Sequence, residues 1–161
     1  MTTLEETVNL EYFRFEEDFV EDNIRCIPMI VRYKLDMCGI KLKLREWSHL
    51  QPLEREALAA MPCSTQLEVE RYRRYLQGLV WNRTGQQAKP LPPIMDAPWD
   101  YGKAVPESVL SCLLAHDLGI SFLQWNNLRL LQRFALIKLS TSAHEHMNFI
   151  KALAEFNLVR A

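Results

Sequence analysis

A shift of 78 residues lays one stretch of this chain over another. Trp47, Leu50, Leu53, Arg55, Ala57 and Leu58 fall on Trp125, Leu128, Leu131, Arg133, Ala135 and Leu136, six identities over twelve positions. Ser64 then falls on Ser142, at the start of the following helix in each half. Upstream, Pro28 to Gly39-Ile40 parallels Pro106 to Gly119-Ile120, with intervals that differ by two residues. The matched residues are mostly apolar at helical spacing, so what recurs is a core. The paired Trp and Arg distinguish the match from a chance likeness of two amphipathic helices. The reading is a duplicated helical unit, roughly 24–83 and 102–160, whose halves pack around one core.

Apolar spacing is helical nearly everywhere after residue 23. Pro28 opens a helix with Met29, Ile30, Tyr33 and Met37 among its apolar positions, closed by Gly39. A short segment around Leu44, Trp47 and Leu50 follows. Pro52 then sits in the first turn of a helix carrying Leu53, Ala57 and Leu58, stopped before Pro62. Thr65 and Glu68 form a capping-box pattern before a helix with Val69, Tyr72, Leu76, Leu79 and Val80 on one side and Arg71, Arg73 and Arg74 largely off it.

Residues 84–105 break the pattern with Gly85, Gly102, Pro90, Pro92, Pro93 and Pro98. They read as an extended, stiff connection whose Trp99 and Tyr101 lie on a neighbouring surface. Pro106 restarts helix through Val109, Leu110, Leu113 and Leu114 to Gly119. Ser121 and Gln124 open a helix running through Trp125, Leu128, Leu131 and Leu136 to Leu139, and a last helix begins near Ser142 with Met147, Ile150, Leu153, Ala154 and Leu158. The expected fold is all-α, a single domain over 1–161. It has an extended acidic arm (1–23), helical half one (24–83), a Pro-rich connection (84–105) and helical half two (106–161), the halves packed into one compact bundle.

Composition agrees with a globular chain. With 161 residues, 48% of them apolar, a chain of this length buries roughly 70% of its unfolded surface. Wholesale disorder is excluded, and no disulfide or metal staple is needed. No apolar run approaches the ~18 residues that span a bilayer, and Glu5, Glu6 and Glu11 make the start too acidic for a secretory signal. The expectation is a soluble, cytoplasmic protein with no membrane partner.

The net charge of −1 averages unlike parts. Residues 1–23 carry eight carboxylates against Arg14, whereas residues 24–55 carry seven Lys/Arg against three acids. Such blocks are either a solvated face, an intramolecular charge match or a partner-binding patch. The offset suggests an arm that folds back over the basic face and competes with a partner for it. A pI near 6.4 and the lack of a long basic stripe speak against nucleic acid.

Catalytic and metal chemistry find little support. Cys26, Cys38, Cys63 and Cys112 contain no C-x-x-C pair, so buried reduced thiols are expected rather than a zinc or iron–sulfur site. His144-Glu145-His146 places its two imidazoles about 200° apart on a helix, too divergent to grip one metal. Cys112 and His116, four apart, are either a thiolate–imidazole pair or a core thiol beside a capping histidine. There is no P-loop and no G-x-G-x-x-G. The expectation is a helical interaction module without catalytic residues, bound metal or cofactor of its own.

Three stretches carry a family resemblance. They are Phe13-Arg14-Phe15-Glu16-Glu17-Asp18-Phe19-Val20; Arg25-Cys26-Ile27-Pro28-Met29 through Asp36, with Cys38-Gly39-Ile40-Lys41-Leu42; and Leu131-Gln132-Arg133-Phe134-Ala135-Leu136 through Ser140, continuing to Phe156. Together they resemble the nitrate reductase-associated protein family, found mainly in cyanobacteria alongside nitrate assimilation and molybdopterin genes. The resemblance implies a non-catalytic accessory protein needed for maturation or assembly of active assimilatory nitrate reductase, a molybdenum and iron–sulfur enzyme. The partner implied is the reductase apoprotein, its molybdopterin-type cofactor, or both. The candidate binding residues are Arg25, Arg32, Lys34, Lys41, Lys43 and Arg45 in the basic segment, with His144 and Glu145 near the C-terminus, where Ser142, Ala143 and His146 depart from the family's pattern. The basic block lies inside a family-specific stretch, and Arg and Lys are natural ligands of phosphate and pyrophosphate. Two other classes stand beside this one: an enzyme acting on the pterin cofactor or a small metabolite, and a nitrogen-responsive regulatory binding protein.

Overall fold

Prolines and capping residues start most of the helices where the spacing puts them. The computed structural model describes residues 6–16, 26–142 and 145–159. Among them are eight α-helices, one short 3-10 turn (Arg14–Glu16) and a two-stranded antiparallel ladder, so the fold is all-α as expected. The chain divides into two compact units. One takes in Met1–Tyr12 and Glu16–Met95, the other Phe13–Phe15 and Asp96–Ala161.

In the first unit, Pro28 is the N-cap of α1 (Met29–Cys38), and Gly39 ends it with a left-handed φ of 70°. Strand β1 (Ile40–Lys41) follows, then α2 (Leu44–His49), α3 (Pro52–Ala60) and α4 (Gln66–Thr84). The Thr65–Glu68 box is formed in both directions: the Glu68 N–H donates to Thr65 Oγ1 at 3.2 Å and the Thr65 N–H to Glu68 Oε1 at 2.9 Å. Strand β2 (Lys89–Pro90) returns the chain to β1. Ile30, Val31, Trp47, Leu58, Tyr72, Leu76 and Val80 form the core. Arg83 clasps Glu54 through two parallel bonds of 3.0 and 3.1 Å, joining α3 to α4.

The second unit holds α5 (Glu107–Leu114), α6 (Phe122–Asn126), α7 (Leu130–Thr141) and α8 (His146–Glu155). Its core is Val109, Leu113, Trp125, Phe134, Leu136, Phe149 and Leu153. From the acidic stretch, Phe13 and Phe15 are buried here: Phe13 stacks on Phe15 at 5.3 Å and meets Phe156 edge-on at 5.1 Å. The backbone N–H groups of Arg14 and Phe15 donate to the Glu155 carboxylate at 3.1 and 3.0 Å. Within the described part of the acidic arm, Phe13 and Phe15 are thus docked by their rings.

The recurrence at 78 residues is also one of local geometry. Trp47 and Trp125 are both fully buried. The N–H of Leu50 donates to Trp47 O at 3.1 Å, and that of Leu128 to Trp125 O at 3.2 Å. Arg55 Nη1 donates to Leu50 O, and Arg133 Nη1 to Leu128 O. The caps recur too: Gln51 N–H to Glu54 Oε1 and Arg129 N–H to Gln132 Oε1, each at 2.8 Å. One matched position does not follow, since Leu53 is 77% exposed whereas Leu131 is 2% exposed.

Three expected boundaries move. The helix expected from Ser121 to Leu139 is two, because Arg129 starts a new cap and the carbonyl of Leu128 is turned to Arg133. The helix expected to reach Gly119 stops at Leu114. Asp117 adopts the left-handed conformation there (φ 54°), and the Leu118 N–H reaches back to Leu113 O at 2.9 Å. The last helix starts at His146 rather than near Ser142. In the Pro-rich connection Trp99 is buried edge-on to Phe134 at 5.0 Å, as anticipated, but Tyr101 is exposed.

Candidate partner-binding surface

The short ladder sets two exposed lysines of the first unit opposite each other, and Gly39 makes it possible. A Cβ at Gly39 would stand 3.2 Å from both Arg73 Nη2 and Leu91 O, so glycine serves the left-handed turn and the close approach together. The Gly39 carbonyl accepts from the Leu91 N–H at 2.8 Å and, more loosely, from Arg73 Nη2 at 3.5 Å. The next residue, Ile40, is buried and Lys41 is exposed. The register sets Ile40 opposite Pro90 and Lys41 opposite Lys89, which is also exposed.

Helix α4 supports this arrangement from beneath. Gln77 lies one turn beyond Arg73, and its carboxamide clasps the backbone of Ala88, accepting from the N–H at 3.2 Å and donating to the carbonyl at 3.3 Å. That clasp fixes the residue immediately before Lys89. Lys41 and Lys89 thus face each other as like charges, which weakens a strand pair. Neither ammonium has an ion-pair partner among the described residues. From 26 to 95 the chain has eleven Lys/Arg against six Asp/Glu.

The expected binding residues separate into groups. Lys41, Lys43 and Arg45 are exposed and follow one another along β1 and the start of α2. Arg32 is half-buried on α1, with Nη1 3.8 Å from Met29 Sδ. Lys34 is 5% exposed, and its Nζ donates to the carbonyls of Ala59 and Met61 at 2.6 and 2.5 Å, tying off the end of α3. It is therefore not on the accessible face, and burial lowers its pKa. Glu145 is the N-cap of α8, its carbonyl accepting from the Phe149 N–H at 3.0 Å. Arg25 and His144 lie outside the described residues. Arg73 and Lys89 were not anticipated: one stands on a helix face, the other in the Pro-rich span, and only the strand pairing joins them to Lys41.

The cysteines behave as core groups. Cys38, Cys63 and Cys112 are buried and reduced. Burial pushes the Cys38 thiol up to about 11 and the Cys63 thiol up to about 12. At the Cys112–His116 pair the imidazole Nδ1 bonds the Cys112 carbonyl at 2.9 Å rather than the thiol. Burial raises the thiol's pKa, the opposite of nucleophile activation. Among the described residues, no group of three His, Cys, Asp or Glu is placed to hold a metal ion. No helix there is long and apolar enough to cross a membrane.

Fold and surface together define an all-α protein with two exposed lysines set opposite each other on a small ladder. The family described as conserved nitrate reductase-associated protein matches residues 12–156, and the chain belongs to it. The family's description associates it with nitrate reductase. No curated protein and no solved structure matches the chain.

Proposed function

We propose that this protein is a non-catalytic accessory factor in the maturation or assembly of assimilatory nitrate reductase, acting by binding the reductase apoprotein or its molybdopterin-type cofactor. The observation that carries the reading is the exposed basic run Lys41, Lys43 and Arg45 in a chain of the nitrate reductase-associated family. Cations exposed to water suit recognition and steering rather than bond-making, because their field acts at a distance. The test is made in cells that depend on nitrate. Lys41→Glu, Lys43→Glu and Arg45→Glu together lower the specific activity of the reductase by about tenfold, as loss of several steering charges does. The amount of reductase polypeptide stays the same. Unchanged specific activity overturns the proposal, and a fall in polypeptide amount alone points to a regulator.

A further inference from the structure

Resting on that reading, we propose that Lys41, Lys89 and Arg73 form one surface that docks a carboxylate-rich face of a partner protein. Three observations support it. Lys41 and Lys89 are held opposite each other by the β1–β2 register, at a cost to the ladder that no acid among the described residues offsets. Arg73 is brought to the same turn by its long bond to Gly39 O, and Gln77 on the same helix fixes the strand that carries Lys89. The first unit around this turn is net positive as a whole, with eleven Lys/Arg against six Asp/Glu from residue 26 to 95.

The geometry also selects the class of partner. A small phosphate or pyrophosphate is held by converging donors, commonly with free backbone N–H groups. Here the Leu91 N–H is already committed to Gly39 O, and the two lysines stand exposed on a two-residue ladder. Strongly hydrated ammonium groups spread over an open surface match the dispersed carboxylates of a protein rim, where they govern the association rate.

Two probes test this, with the full-length protein in each arm. The first is immobilised poly-L-glutamate; the second is the purified reductase apoprotein. The variants are Lys41→Glu with Lys89→Glu, and the same pair with Arg73→Glu, each first shown to keep the wild-type helical circular dichroism. The wild type is retained on poly-L-glutamate, and the variants elute at distinctly lower salt. On the apoprotein the association rate at low salt falls about tenfold while dissociation changes by less than about threefold. Equal retention of wild type and both variants on poly-L-glutamate overturns the proposal. So does an apoprotein association rate that both variants leave unchanged, although the accessory role then stands. Retention on poly-L-glutamate with no wild-type binding to the apoprotein leaves this surface in place and removes the reductase as its partner. If excess inorganic pyrophosphate displaces the wild type from poly-L-glutamate no better than sodium chloride of equal ionic strength, the surface is one for dispersed carboxylates. Displacement at stoichiometric pyrophosphate overturns that choice of partner.

Discussion

Two buried arginines do the same work 78 residues apart, but not to the same extent. Arg133 is fully buried and donates through Nε to Trp99 O at 2.7 Å as well as through Nη1 to Leu128 O. Arg55 donates to Leu50 O, lies 6.0 Å over the Trp47 ring, and leaves its Nε buried without a partner among the described residues. Removing a charged donor strands the carbonyls that it satisfied, at about 1–3 kcal/mol each. Arg133→Met, which strands at least the Trp99 and Leu128 carbonyls, costs about 3 kcal/mol or more, while Arg55→Met costs about 1–2 kcal/mol. Urea unfolding monitored by circular dichroism checks the order; Arg55→Met proving the more damaging change contradicts it. This asymmetry was not legible beforehand, since the sequence match shows two equal arginines and says nothing of Trp99.

The buried thiols set a pH dependence of opposite origin. An unfolded cysteine titrates near its ordinary value of 9.0, whereas Cys38 holds its proton up to about 11. Above pH 9 the unfolded chain has lost a proton that the folded one keeps, so the thiol's contribution is full below 9 and is lost as pH rises through 11. Lys34 acts in the other sense: burial lowers its pKa below 10.5, so the folded chain releases its proton first and gains stability with rising pH. The urea midpoint of a Cys38→Ala, Cys63→Ala double variant therefore declines less steeply between pH 9 and 11 than that of the wild type. In the native protein at pH 8, Cys38 is alkylated about 100-fold more slowly than a free thiol, from its thiolate fraction alone. Equal slopes and rapid native alkylation would together contradict this.

At the scale of the element, starts were easier to read than stops. Pro28, Pro52 and the Thr65 box each mark a helix start that the structure keeps, because they act on backbone donors within one turn. The break after Asn126 was missed for a physical reason. In the first half Pro52 announces the equivalent boundary, but Leu130 occupies that place in the second, and the break is made by the Arg129 cap and the Leu128–Arg133 bond. Strands of two residues are equally silent, since no periodicity can show in them. Lys34 carries a charge that belongs to the basic block, while its stem belongs to the buried side of α1, a distinction that sequence does not show. Lys34→Met leaves the Ala59 and Met61 carbonyls without their donor and destabilises by about 2 kcal/mol, while Lys41→Met and Lys43→Met change stability by less than about 0.5 kcal/mol. Comparable midpoints for all three would show that Lys34 is not tying off α3.

For the whole molecule, the all-helical class and the recurrence were legible because apolar spacing and paired Trp and Arg residues repeat in the sequence itself. The binding surface was legible in part. Lys41, Lys43 and Arg45 alternate along five residues of sequence and stay exposed, whereas Lys89 and Arg73 join them only through strand pairing and helix packing. The near-neutral charge of −1 thus hides a first unit in which cations outnumber acids from residue 26 to 95. Charge at that scale governs encounter, so the decisive question is what the protein meets in the cell. Tagged full-length protein, recovered from nitrate-grown cells at low and at moderate salt and analysed for co-purifying polypeptides and bound pterin, answers it. Reductase apoprotein recovered with the wild type at low salt, and lost with Lys41→Glu, Lys43→Glu and Arg45→Glu, is the expected result. Recovery of neither apoprotein nor pterin at any salt would contradict the accessory role.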